Sequence, residues 1–301
     1  MTTSKNNEQG IGWRAATGEG SIGTGNWRWF PREDLPRVSE AAERWKAALA
    51  GVEKPWLCWC VDDDWNWWQQ QLVVRVGWTP VVGTDGRVPR PRLVKDAVFI
   101  DFNEHLQYPV MWMHFPLDFV HLFCERLAFW HSDLLPPLDK MQRAARQFDA
   151  MPQGSIVAVD MTRVGLGQRI RRYLKGRQFN AKRYFELLGC TTAEASRANF
   201  ECGCGWWKFF NYHVNFHAEA IGNPPHFDNG TGIWYWKKYF QGDVRKLAVN
   251  VHPYHYSTNR RDYQRARDER GKPISSKYAE LNTSYDIQQI VAGLGREEND
   301  E

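Results

Sequence analysis

Three consecutive residues near the middle of the chain, His131-Ser132-Asp133, have the types and spacing to hold a cation. On an extended segment, side chains at positions i and i+2 project to the same side, so one imidazole and one carboxylate can reach a single divalent ion. A late histidine pair, His252 and His255, could complete such a site. A further acidic cluster, Asp62, Asp63 and Asp64, ends the apolar run of residues 56–61, as when a buried strand reaches the edge of its sheet. Other catalytic signatures are missing: there is no G-x-S-x-G elbow, no Walker phosphate loop and no H-E-x-x-H helix. Cys58 and Cys60, and Cys202 and Cys204, form C-x-C pairs, which is not the usual zinc or redox spacing. His213 and His217 would share a helix face, but a lone pair on an uncertain helix is a weak metal site.

Candidate ligands need elements to aim them, and the pattern from residue 55 to 160 supplies these. A lead-in helix is expected over residues 31–50, with Val38, Ala41, Ala42, Trp45 and Leu49 near one face and Gly51 as the stop. The run at 56–61 reads as a strand, 69–76 as a helix, 78–82 as a strand closed by Thr84-Asp85-Gly86, and 98–101 as a strand. Helical spacing over 115–126 feeds the apolar run that ends on Asp133; a helix over 138–151 and a strand over 155–159 follow. This alternation predicts a single α/β, Rossmann-like domain: a mostly parallel central sheet with helices on both faces. Ligands of such sheets bind at the carboxyl ends of the strands.

Beyond residue 160 the pattern weakens. A basic stretch contains Arg169, Arg171, Arg172, Lys175 and Arg177, and glycines crowd against Trp206 and Trp207, which suggests a close backbone approach. A short aromatic helix is expected over 234–240, a strand over 247–251 and a charged helix over 260–270. The domain limits expected are a flexible polar tail over 1–28, a catalytic body over 29–260, and a charged helix with an acidic tail over 261–301.

Bulk composition narrows the class. With 43% hydrophobic and 25% charged residues the chain is neither disordered nor fibrous. Its 39 Lys and Arg against 35 Asp and Glu are too evenly matched to argue for nucleic-acid binding. No run approaches a membrane span or a signal-peptide core, so a cytoplasmic protein with reduced thiols is expected. The 16 Trp are the unusual feature; indoles fill cores, and they also stack on ring-shaped ligands.

Taken in order, residues 55–159 resemble a nucleotide-sugar glycosyltransferase domain of the GT-A type, family-2-like: a first strand ending in acids, alternating helices and strands, then a strand closing on an aspartate motif. The likeness extends loosely to about Tyr256. It implies a Mn²⁺ or Mg²⁺ ion held by Asp133, with His131 where the family most often has Asp, and His255 as the late histidine that some members add. It further implies a nucleotide-sugar donor whose nucleoside meets Asp62 or Asp63, an unidentified acceptor against Trp206 and Trp207, and Asp228 in Phe227-Asp228-Asn229 as the base of an inverting displacement.

Two other classes use the same residues. His131, Asp133 and His255 could be the facial triad of a non-haem Fe(II) oxygenase, with Arg265 clamping a 2-oxo acid; the strong helical pattern at 138–151 argues against its all-β scaffold. A non-catalytic carbohydrate- or protein-binding module would use a Trp-rich surface without a metal.

Overall fold

The computed structural model describes residues 30, 32–108, 111–162, 170, 182–207, 210 and 229–255. Helix α1, Leu35–Ala48, has a proline in its first turn and buries Val38, Ala41, Ala42 and Trp45, a single stripe at spacings of three and four. Strand β1, Pro55–Trp59, leads into α2, Asp63–Arg75. That helix begins six residues before the expected start because Asp62 caps it, accepting the Trp65 backbone N–H at 3.1 Å. Strands β2, Thr79–Thr84, and β3, Val98–Asp101, follow.

The helix expected over 115–126 is two short turns, α3, His114–Leu117, and α4, Val120–Phe123. The residue between them, Asp118, is buried and accepts the backbone N–H groups of Trp206 and Trp207. Next come β4, Arg126–Trp130; α5, Leu138–Asp149; and β5, Ser155–Asp160. Strand β6, Tyr184–Thr192, was not anticipated; it leads into α6, Ala193–Glu201, capped by Thr192. Helix α7, Thr231–Phe240, and strand β7, Asp243–Lys246, complete the described elements. The strand expected over 247–251 lies earlier, at β7. Leu247 adds one more bond to β5, its N–H donating to the Ala158 carbonyl at 2.8 Å, while Val249 and Val251 are buried beyond the strand and the Ala248 N–H donates to the Gln147 side chain.

The strands form one seven-stranded sheet in the order β3-β2-β1-β4-β6-β5-β7, parallel except for β6, which runs against both its neighbours. Period-two alternation divides it into two faces. Leu57, Trp59, Leu127 and Phe129 pack with Val38 and Trp45 of α1 and with the α3–α4 aromatics; Trp56, Cys58, Ala128 and Trp130 pack with Leu72 of α2 and Met141 and Phe148 of α5. The α/β architecture with helices on both faces is therefore as expected.

Two glycines are sterically required near the site. At Gly189 in β6, a Cβ would overlap the Val157 carbonyl and lie 2.7 Å from the Phe129 ring. Gly230, at φ +75°, has a Cβ position already filled by the Tyr184 carbonyl. Its N–H and carbonyl bond Trp206 and Tyr184, which fastens the start of α7 to β6.

The chain order reverses between β1 and β4. β1 continues outward through β2 and β3, whereas β4 begins the other half of the sheet. A parallel sheet opens a crevice at the carboxyl ends of the strands at such a reversal. The acids after β1 and the His131-Ser132-Asp133 turn after β4 both lie there.

Candidate metal centre

The His131 backbone extends the β4–β6 ladder by one bond, its N–H donating to the Leu187 carbonyl at 3.0 Å. The chain then turns, with the Leu134 N–H donating back to the His131 carbonyl at 3.1 Å. A fully buried amide from α2 secures this turn: Gln69 Nε2 donates to both the His131 and Leu134 carbonyls, each at 2.9 Å. Sequence reading missed Gln69 as a site residue, although a glutamine among the apolar positions of a sheet-covering helix is a signal of buried backbone needing a donor.

His255 reaches the same turn from far along the chain. Leu134 and His255 form an isolated antiparallel bridge, and the Leu135 N–H donates to the Tyr254 carbonyl at 3.1 Å. His131, Asp133 and His255 thus come together with one ligand atom from each within 4.8 Å of the others. His255 Nε2 lies 3.1 Å from Asp133 Oδ1, and His131 Nδ1 lies 3.6 Å from that same oxygen. Despite this closeness, Asp133 Oδ1 and His255 Nε2 are buried atoms without a hydrogen bond among the described residues. Two imidazoles and a carboxylate gathered on one point have the chemistry and spacing a divalent ion requires, so the residues fit such an ion.

Behind this trio is a second layer. Glu186, in the middle of β6 and 0% exposed, accepts at Oε1 from His114 Nε2 at 2.9 Å and from His131 Nε2 at 3.3 Å. The Asn229 amide lies 3.0 Å from His114 Nε2, and the Trp207 ring packs 6.5 Å from that of His114. Glu186 Oε2 lacks a partner among the described residues. Burial alone would raise the Glu186 carboxyl, but hydrogen bonds and charge from His114 and His131 outweigh it and hold it well below the usual carboxylate range. Burial would likewise strip the His131 proton, yet Asp133 and Glu186 prevail and push its pKa up to about 9. Asp133 is held low by His131 and His255 against the opposing effect of burial.

Other expected site residues are placed differently. Asp62 and Asp63 are at the carboxyl end of β1, but Asp62 caps α2, and Asp63 accepts from Arg92 through its backbone N–H at 2.8 Å and Nε at 2.7 Å. Trp206 and Trp207 correct the acceptor expectation: they are 1% and 2% exposed, enclosed in the core, so neither offers a face to a ligand. The close approach at their glycines is to the chain itself, since a Cβ on Gly232 would overlap the Gly205 carbonyl. His252 stacks on Phe185 outside the trio. All six cysteines are free, and burial raises the Cys58, Cys60 and Cys190 thiols, Cys60 to about 12, so these three are poor thiolates. Asp228, Arg265, His213, His217, the basic stretch at 169–177 and both terminal segments lie outside the described residues, apart from Phe30 and Ile170.

No protein-family model matches this sequence, and no characterised protein is significantly similar to it. Among the described residues no helix is long and apolar enough to cross a membrane.

Proposed function

We propose that the chain is a metal-assisted glycosyltransferase of GT-A-like fold that moves a sugar from a nucleotide-sugar donor to an acceptor. The observation that carries this reading is the convergence of His131, Asp133 and His255 at the sheet's reversal point, beside the acidic end of β1. A diphosphate laid in that crevice would have its oxygens at the trio while its nucleoside extends toward β1, which keeps Asp62 and Asp63 as proposed donor contacts. Two imidazoles with one carboxylate suit Mn²⁺ better than Mg²⁺, which prefers oxygen ligands and its own waters. Such an ion supplies positive charge to the departing diphosphate. Asp133, His131 and His255 would hold it; Gln69 would keep the turn in place; Asp228 would take the acceptor's hydroxyl proton.

The trio is also two histidines and a carboxylate, the composition of a non-haem iron site. An open, mostly parallel sheet with helices on both faces weighs against that reading. A binding module without metal is weakened by the enclosure of Trp56, Trp59, Trp65, Trp130, Trp206 and Trp207.

Thermal unfolding of wild type and Asp133→Ala, with Mn²⁺, Mg²⁺, Fe²⁺ plus 2-oxoglutarate, and uridine or guanosine diphosphate, tests the proposal. Joint stabilisation by Mn²⁺ and a nucleoside diphosphate, lost in the variant, is the expected result. Stabilisation only by Fe²⁺ with the oxo acid overturns it in favour of the oxygenase. No response to any of them overturns it in favour of a binding module.

A further inference from the structure

We infer that Glu186, backed by His114, fixes the His131 ring so that Nδ1 is the nitrogen presented to the cation, and that Glu186 is a positioning residue of the metal centre. This rests on the metal-binding part of the reading above and is independent of sugar transfer.

Two clusters of possible ligands share His131: His131, Asp133 and His255 on one side, and His114, His131 and Glu186 on the other. Hydrogen bonding tells them apart. In the second cluster both imidazole Nε2 atoms make hydrogen bonds to a single carboxylate oxygen, at 2.9 and 3.3 Å. An ionised carboxylate only accepts, so each Nε2 carries a hydrogen, and both Nε2 atoms of that cluster are already committed to Glu186 Oε1. In the first cluster the buried atoms Asp133 Oδ1 and His255 Nε2 face each other at 3.1 Å, an imidazole–carboxylate pair with no backbone group among the described residues tying up either atom. With Nε2 committed to Glu186, Nδ1, 3.6 Å from the same Asp133 oxygen, is the nitrogen left for a cation, which would displace the proton there. The cation therefore belongs with the first cluster.

Glu186 is built for the supporting task. A carboxylate in the middle of a strand that is buried throughout is costly unless paired, and its two imidazole partners pair it. His114 stabilises Glu186 from the far side, with the Trp207 ring packed beside the imidazole. A carboxylate on the distal nitrogen of a ligating histidine sets its tautomer and strengthens it as a donor, and loss of such a group lowers metal affinity by roughly 10–100-fold.

The test uses the full chain with ¹⁵N-labelled histidine, loaded with ¹¹³Cd²⁺, alongside Zn²⁺ titrations of wild type, Glu186→Gln and Asp133→Ala. Cadmium coupling to Nδ1 of His131, with a proton on its Nε2, is expected. Glu186→Gln should bind Zn²⁺ roughly 10–100-fold more weakly with unchanged far-ultraviolet circular dichroism, and Asp133→Ala should lose binding. Coupling to Nε2 of His131 or to His114 overturns the inference, as does a folded Glu186→Gln with wild-type affinity. Where Glu186→Gln does not fold, the wild-type coupling pattern decides. A chain that binds Zn²⁺ as expected but gains nothing from nucleoside diphosphates sinks the transferase reading and leaves this one intact; a chain that binds neither Zn²⁺ nor Cd²⁺ sinks both.

Discussion

Two neighbouring strands, β1 and β4, both end in acidic residues at the same edge of the sheet, yet their carboxylates have opposite fates. After β1, Asp62 caps α2, and Asp63 and Asp64 are bonded to Arg92. After β4, the Oδ1 atom of Asp133 is buried between two imidazoles that it pairs with, in a turn held by Gln69. The residue types barely distinguish the two ends. What separates them is whether the acid is committed to a helix cap or an arginine, or gathered with two histidines whose ligand atoms lie within 4.8 Å of it.

The strongest test of that contrast is Asp133→Ala. If its Oδ1 is a ligand, divalent-ion affinity should fall at least about a hundredfold, since an ion at 100 times its dissociation constant stabilises the wild type by about 2.7 kcal/mol and should then stabilise the variant hardly at all. Calorimetric unfolding with and without Mn²⁺ measures this directly. An undiminished gain in the variant would put Asp133 on the same footing as the β1 acids.

Gln69→Leu comes next. It leaves the Leu134 carbonyl without its buried donor and the His131 carbonyl with only the Leu134 N–H, at a cost of about 1–3 kcal/mol for the unsatisfied group. Urea unfolding measures the stability, and a Zn²⁺ titration of the same variant should show weaker binding because the turn carrying two of the ligands is released. A variant that is destabilised but binds normally would mean that the turn is held well enough by its own backbone.

Asp62→Ala examines the other strand end. Removing an N-cap costs about 1 kcal/mol, so chemical denaturation should register a modest loss while Zn²⁺ affinity stays the same. A fall in ion affinity would extend the metal centre across to β1.

Much of this was legible in the residues because local patterns are strong in the first half of the chain. β3, β4 and α5 fall within a few residues of where alternation and amphipathic spacing put them, and the His131-Asp133 pair with His255 is brought together as its spacing and chemistry suggested. β6 was not legible. Its run Tyr184-Phe185-Glu186-Leu187-Leu188-Gly189 carries a charge and a glycine that break strand periodicity, and both have tertiary causes: Glu186 pairs with two histidines, and Gly189 clears the Val157 carbonyl. Trp206 and Trp207 misled for the converse reason. Aromatics beside glycines look like a ligand platform, but here Asp118 and Gly230 fold that segment into the core. Burial and hydrogen-bond saturation are properties of the packed chain, and these decide which acid or indole is available.

The smallest expected effect is also the sharpest check on β1. Arg92 and Asp63 are each about half exposed, at 50% and 49%, so their ion pair is screened by water and Arg92→Ala should cost less than about 1 kcal/mol. The substitution nevertheless takes the guanidinium from Asp63 and Asp64 at the mouth of the crevice, leaving Asp63 the backbone N–H of residue 92. If these acids are committed to holding the loop that carries Arg92, uridine diphosphate affinity in the presence of Mn²⁺ should stay within about twofold of wild type, a change below about 0.4 kcal/mol. If Asp63 contacts the donor's nucleoside instead, freeing it from its ion pair should shift that affinity severalfold while leaving Zn²⁺ binding at His131, Asp133 and His255 unchanged. Isothermal titration with both ligands separates the two cases, because only the second couples the end of β1 to the nucleotide without disturbing the end of β4.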